Sequence, residues 1–306
     1  MNKNNIKIGI MGSSQIQHII PVLIESGYQV TNIQSIWQSN ENKSVKGKEK
    51  LYRETIRDCD ILYNIYSGNY FWAKASFAKL IGKKVITHWI GTDVLNATSG
   101  EVGYLGHPFI DHHFVCYEPL KNELQSIGIE STVLPIVPFN MDLSIDKMPD
   151  THSVMIYMPD NKLDHYGYND LRYVFESFPD VIFHIVANYG KGLEKYNNVI
   201  AHGWLDKNAM EKLYKEISIV IRFIKHDGLS MSVIEGLMKG KKVIWNNQYY
   251  GVIYADSKEA ICSELKKILE MPPCPDIDVS NYVKSELSKE NFNNIFDNVI
   301  KKVLGY

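Results

Sequence analysis

The sequence has little charge imbalance, few cysteines and no long apolar run, and each lack excludes something. With 306 residues, a formal charge of -2, 45% hydrophobic and 22% charged residues, it is neither a disordered acidic tail nor a general nucleic-acid binder. The four cysteines, Cys59, Cys116, Cys262 and Cys274, show no paired zinc spacing and no dense disulfide framework, so free thiols in a reducing cytosol are expected and no metal follows from them. No stretch approaches eighteen consecutive apolar residues, and the amino terminus runs directly into a strand pattern without a leader-like apolar region, so a cytoplasmic protein is expected. No internal repeat or low-complexity segment is present. The first loop has one glycine, Gly12, where a dinucleotide fingerprint has three, which argues against a nicotinamide enzyme.

What is present is an alternation of apolar β-branched runs with helical patterns over a length suited to two domains. Strands are expected at 6–11, 28–37, 59–66, 84–88, 113–117 and 132–138. Helical stripes lie between them, including Ile16, Ile19, Ile20 and Leu23 ended by Gly27, and an apolar helix over 70–80. Tyr70, Phe71 and Trp72 on that helix can stack on a sugar, although core packing is the commoner role. The stretch 42–57 carries Lys43, Lys46, Lys48, Lys50, Arg53 and Arg57 against Glu49 and Glu54. Such a run can lean on an anionic membrane or a charged acceptor, and is more often a solvated helix face. His112 and His113, adjacent on a strand, point to opposite faces and make a poor metal pair. After a linker at 139–151 the logic repeats, with strands at 153–158, 181–186 and 198–204 and a helix at 207–216. A stiff Pro272-Pro273-Cys274-Pro275 exit follows later, and the last helix carries the apolar face Phe292, Ile295, Phe296, Val299, Ile300 and Val303.

The most informative stretch is residues 217–245. An apolar run ends at Arg222, a polar turn holds His226, Asp227 and Gly228, a helix follows with Leu229, Val233 and Leu237 on one face, and a buried run begins at Lys242. Asp227 and Glu235 are eight residues apart, so both carboxylates can point at the crevice above the strand ends, where open parallel sheets bind ligands. Gly228 lets the turn approach a ligand, and the first helical turn offers amides to an anion. The alternative is local: Ser232-Val-Ile-Glu235 fits a capping box and Asp-Gly is an ordinary turn.

This Asp-Gly-Leu-Ser-Met-Ser-Val-Ile-Glu segment, with Lys84-Val-Ile-Thr-His-Trp-Ile-Gly-Thr-Asp-Val94, resembles the retaining GT-B glycosyltransferases of the large family 4. The resemblance implies an α/β GT-B fold, two Rossmann-like domains facing each other across a cleft. It implies an acceptor domain over 1–143, a donor domain over 144–285 and a final helix, 286–306, crossing back to the first. The implied reaction moves a hexose, with retention of configuration, from a UDP- or GDP-linked sugar to a glycan, lipid or small acceptor. No metal and no cofactor beyond this co-substrate are implied. By resemblance, Glu235 holds the ribose hydroxyls, Asp227 and His88 contact the donor sugar, Gly228 and Leu229 offer amides, Gly12 allows close approach of the first loop, and Gly203 with Trp204 lies at the nucleotide base, although core packing is the readier reading of Trp204. The family's Arg and Lys for the diphosphate are missing between Pro159 and Gly167, where Asn161 and Tyr166 stand. The diphosphate then falls to Lys162, His165, Arg222, Lys225 or helix amides, with a structural ion pair as the other use of Arg222. Two alternatives remain open, a non-catalytic glycosyltransferase-like subunit and a GT-B nucleotide-sugar epimerase.

Overall fold

The computed structural model describes residues 2–33, 45–66, 71–99, 107–139, 141–145 and 147–306. The chain forms two compact units, Met1–Phe139 with Leu287–Tyr306, and Asn140–Glu286. Among the described residues no helix is long and apolar enough to cross a membrane.

In the first unit the strands are β1 (Lys7–Gly12), β2 (Gln29–Asn32), β3 (Ile61–Ile65), β4 (Lys84–Trp89), β5 (His112–Val115) and β6 (Thr132–Val133). They pair in parallel in the order β2-β1-β3-β4-β5-β6. Parallel strands need crossovers, here α1 (Ile16–Glu25), α2 (Val45–Asp58), α3 (Phe71–Leu80), α4 (Thr92–Thr98) and α5 (Glu118–Ser126). These helices cover both sheet faces, which is why β3 is buried at every residue. Pro119 enters α5 at its start, where its missing N–H costs nothing. The strand expected over 28–37 is short, and its continuation beyond Ile33, like Lys43, Tyr70 and the side chains of Lys46 and Lys48, lies outside the described residues.

The second unit repeats the plan with β7 (Ser153–Tyr157), β8 (Ile182–Val186), β9 (Val199–Gly203), β10 (Ile219–Arg222), β11 (Lys242–Trp245) and β12 (Val252–Tyr254). Their order is β12-β11-β10-β7-β8-β9. The connecting helices are α6 (Tyr168–Ser177), α7 (Lys207–Glu216), α8 (Met231–Met238), α9 (Lys258–Leu269) and α10 (Ile277–Glu286). Asp206 caps α7 by accepting from the Ala209 amide, and Ser257 caps α9 through Ala260. Gly236 lets α8 lie close on the sheet, since a Cβ there would stand 3.0 Å from Val220 Cγ2 and 3.2 Å from Val243 Cγ2.

The last helix, α11 (Lys289–Leu304), belongs to the first unit. Its Phe292, Phe296, Val299 and Ile300 are buried in the core that also holds Ile8, Tyr63 and Phe114. Phe296 packs edge-on against Tyr28, with ring centroids 5.6 Å apart, and Ser26 Oγ donates to Asn293 Oδ1 at 2.6 Å.

Candidate functional site

In the second unit β7 sits between β10 and β8, so the chain turns to one side after β7 and to the other after β9. The carboxyl ends of β7 and β10 therefore flank a topological switch point, the usual ligand position in such sheets. Tyr157 ends β7 and Arg222 ends β10. The loops beyond them are tied together. The Lys225 amide donates to the His165 carbonyl at 3.0 Å, and Asn246 brackets Ile224, accepting from its amide at 3.2 Å and donating to its carbonyl at 2.7 Å. Gly167, at φ 67°, is pressed against Phe223, whose ring would lie 2.4 Å from a Cβ.

Arg222 and Asp227 form a two-pronged pair: Nε donates to Oδ2 at 2.7 Å and a terminal guanidinium nitrogen to Oδ1 at 3.0 Å. Both side chains are nearly enclosed, at 7% and 11% exposure. The guanidinium also lies over the Tyr166 ring, 4.9 Å from its centroid, and 5.7 Å from that of Tyr157. Of the two uses expected for Arg222, the structure has the ion pair. Asp227 Oδ1 accepts from the Gly228 amide as well, at 3.1 Å, so that amide is engaged rather than offered. Leu229 is buried beside it. Lys162 and Lys225 are exposed, Lys225 pairing with Asp164. The His165 imidazole is held below its ordinary value by burial first, then by Lys162 and Arg222.

The capping-box expectation at Ser232 and Glu235 does not hold. The N-cap of α8 is Ser230, which makes no side-chain cap bond, and its Oγ lies 3.1 Å from that of Ser232. Glu235, 9% exposed, looks instead toward α7, where Tyr214 donates its hydroxyl to Oε2 at 2.7 Å. Among the described residues no hydrogen bond or ion pair engages Oε1. Burial pushes the Glu235 carboxyl up to about 7, the Tyr214 bond and Lys239 pulling down and Glu211 pushing up. Sequence reasoning missed this surround. Lys239 has a fully buried side chain, donates to Glu211 Oε2 at 2.6 Å and lies over the Tyr214 ring, 5.4 Å from the centroid.

Gly203, at φ 64°, has both backbone groups engaged: its amide donates to Asn188 O at 2.8 Å and its carbonyl accepts from Ala187 N at 2.7 Å. Trp204, for which core packing was an expectation, is 65% exposed and stands edge-on to Tyr157, with ring centroids 6.2 Å apart. A cavity of about 500 Å³ lined by His152, Ser218, Lys242 and Cys274 lies at the amino ends of β7, β10 and β11, opposite this cluster.

In the first unit, His88 is fully buried at the end of β4. Its Nδ1 lies 2.8 Å from the Tyr63 hydroxyl, and its ring packs against Tyr63 and Phe114, with centroids at 6.2 and 5.7 Å. Burial drives the imidazole down to about 3, a backbone hydrogen bond with Leu134 opposing. The imidazole expected to contact the donor sugar is thus enclosed among the core side chains of this unit. In the Gly-Thr-Asp that follows, Gly91 caps α4, Thr92 opens it, and buried Asp93 collects the amides of Ile90, Gly91 and Val94 on Oδ1 at 3.0, 2.9 and 3.1 Å. Gly12, at φ 124°, closes on its own neighbour, since a Cβ there would lie 1.8 Å from the Ile65 carbonyl oxygen.

On α2, Lys50 and Arg53 are exposed and make long pairs with Glu54 and Glu49, at 3.9 and 3.8 Å. Arg53 and Arg57 lie over Phe77 of α3 and Lys74 over Tyr52. Phe71 is buried and Trp72 is 45% exposed. His113 accepts from Trp89 Nε1 at 3.1 Å, while His112 packs edge-on to Phe114, so the two imidazoles diverge.

No protein-family model and no curated protein matches the sequence. Solved structures do match the fold. A sucrose-phosphate synthase from Thermosynechococcus elongatus aligns over 98% of this chain and 100% of its own, with 10% identity and a TM-score of 0.69. The apo form of the lipopolysaccharide outer core galactosyltransferase WaaB aligns over 96% and 99%, with 13% identity and a TM-score of 0.58. A putative UDP-N-acetylglucosamine 2-epimerase from Listeria monocytogenes aligns over 93% and 97%, with 12% identity and a TM-score of 0.53. The two six-stranded parallel α/β units are those of the GT-B glycosyltransferase fold.

Proposed function

We propose that the chain is a retaining glycosyltransferase that moves a hexose from a nucleotide diphosphate sugar to a glycan, lipid or small acceptor. One observation carries the reading: a nearly enclosed carboxylate, Glu235, with one oxygen anchored by Tyr214 and the other unengaged, on the helix that follows the switch-point strand. A ribose hydroxyl supplies the donor that such an oxygen lacks. Lys162, Lys225, His165 and Arg222 surround the place for a diphosphate, and exposed Trp204 beside Gly203 suits a nucleotide base. The names of the galactosyltransferase and of the sucrose-phosphate synthase agree with sugar transfer.

In this reading the second unit holds the donor, the first unit receives the acceptor, and neither metal nor further cofactor is needed. Rate comes from fixed charge around the leaving diphosphate and the oxocarbenium-like sugar. An arriving diphosphate competes with Asp227 for Arg222, and Asp227, once released, faces the sugar. His88 contributes by supporting the end of β4. The exposed cations of α2 favour an anionic acceptor or a membrane surface, consistent with a cytoplasmic enzyme working at the inner leaflet.

Titration calorimetry with UDP-, GDP- and ADP-sugars tests the assignment. One of them should bind, and Glu235→Ala should weaken it by on the order of a hundredfold, the worth of a charge-assisted bond and its neighbour. Unchanged affinity for all three would refute the role of Glu235. The epimerase match supports a second reading, a nucleotide-sugar epimerase. Conversion of a free UDP-sugar without acceptor, followed by proton NMR, would favour it. The closed Arg222–Asp227 pair supports a non-catalytic subunit instead, against which any turnover of a nucleotide sugar counts.

A further inference from the structure

We infer that Tyr214 is a positioning residue for nucleotide-sugar binding: it holds Glu235 by Oε2 so that Oε1 is presented, in a fixed direction, to a ligand hydroxyl. The inference rests on the reading of Glu235 as the ribose-binding carboxylate.

The geometry sets the argument. A glutamate on an eight-residue helix has three rotatable bonds, and an unpaired buried carboxylate would turn toward any donor. Tyr214 comes from the facing helix, its phenol fully buried, and reaches Oε2 at 2.7 Å. An ionised carboxylate only accepts, so the phenol is the donor and the bond is charge-assisted. The unengaged oxygen is then the one that a ligand meets.

The charged groups around Glu235 form a short series. From α7 come Tyr214 and Glu211, and from α8 itself comes Lys239. On α10, Lys284 is held below its ordinary value by burial and by Lys239, with Asp142 opposing. The strands beneath contribute Val220 and Val243, which face Gly236. Tyr214 and Lys239 favour the ionised carboxylate, while Glu211 and burial favour the protonated one. Two residues that need not touch the nucleotide thus act on its carboxylate partner in opposite directions.

That opposition supplies the test. Binding of UDP-glucose and GDP-mannose is measured by calorimetry between pH 5.5 and 8.5, with thermal unfolding recorded at each pH. Affinity of the native chain should rise through neutral pH as Glu235 ionises. Tyr214→Phe should weaken binding at pH 7.5 by about tenfold and move the midpoint upward. Glu211→Gln should move it downward. Comparison with the native chain cancels titration of the ligand and of other side chains. Midpoints that coincide in all three proteins, with Tyr214→Phe affinity within twofold of native, would reduce Tyr214 to a packing residue and overturn the inference. If Tyr214→Phe fails to fold, 3,5-difluorotyrosine at position 214 decides: a stronger donor of nearly the same shape should move the midpoint downward, and an unmoved midpoint with native affinity overturns the inference. Failure of the native chain to bind either ligand, or indifference to Glu235→Ala, removes the underlying reading and the inference with it.

Discussion

Asp227→Ala should destabilise the second unit by roughly 3–5 kcal/mol, the usual result of stripping one partner from an enclosed ion pair. Arg222 is 7% exposed and cannot reach water without displacing Tyr166 or Tyr157. It cannot shed its proton either, so the mutation leaves a buried unpaired cation. The Gly228 amide loses its acceptor in the same step. Urea unfolding followed by tryptophan fluorescence measures the cost. The double variant Arg222→Met, Asp227→Ala removes both charges and should recover most of it, since such pairs contribute little net stability over an apolar replacement. A phosphate-bearing ligand should stabilise the single variant more than the native chain, because Arg222 then has a new partner. A single-variant cost below about 1 kcal/mol, the range of exposed pairs, would show that the guanidinium relaxes into solvent and that the two side chains are not mutually locked.

Glu235→Gln should stabilise the protein at alkaline pH while weakening nucleotide binding. Burial raises this carboxyl from 4.5 to about 7, so the fold prefers the protonated form. Its stabilising contribution is complete below pH 4.5 and is lost as pH rises through about 7. The glutamine is neutral throughout and still offers an oxygen to Tyr214. At pH 8 it should gain roughly 3 kcal/mol, from a shift worth about 1.4 kcal/mol per pH unit. At pH 4.5 the gain should vanish. Denaturant midpoints at the two pH values, beside calorimetry with a nucleotide sugar, give the comparison. Equal stability at both would mean that Glu235 ionises without strain. A substitution that strengthens the fold and weakens binding marks a side chain kept for its chemistry.

Much of the second unit was legible because the signals are local. The β-branched runs of β10 and β11, the glycine stop at Gly240 and the apolar face of α8 state strand, helix and strand within thirty residues. Asp206 and the amphipathic pattern after it mark α7 in the same way. The partners of the charged groups were not legible. Lys239 lies in a Met-Lys-Gly-Lys-Lys segment that suggests a solvated helix end, yet its side chain is fully buried because Glu211, 28 residues earlier, meets it. Glu235 fits a capping box by spacing, and only the packing of α7 on α8 brings Tyr214 to it instead. Spacing left two uses open for Arg222, and Asp227, five residues on, filled one of them. Trp204 reads as core by its apolar bulk but ends an edge strand of the sheet, where the surface is open. His88 carries a motif that resembles a ligand contact, whereas the burial of β4 on both faces makes its position part of the core.

The return of α11 to the first unit has a consequence for biosynthesis. The buried face of α11 completes a core whose buried members outside that helix are encoded more than 150 residues earlier, so a nascent chain emerging from the ribosome holds the first sheet with one flank uncovered. The second unit is contiguous from Asn140 to Glu286 and has every element it needs before the last helix is made. Maturation should therefore run against the order of translation. The later-synthesised half closes first, and the earlier half waits for its final wedge, exposed meanwhile to chaperones and proteases.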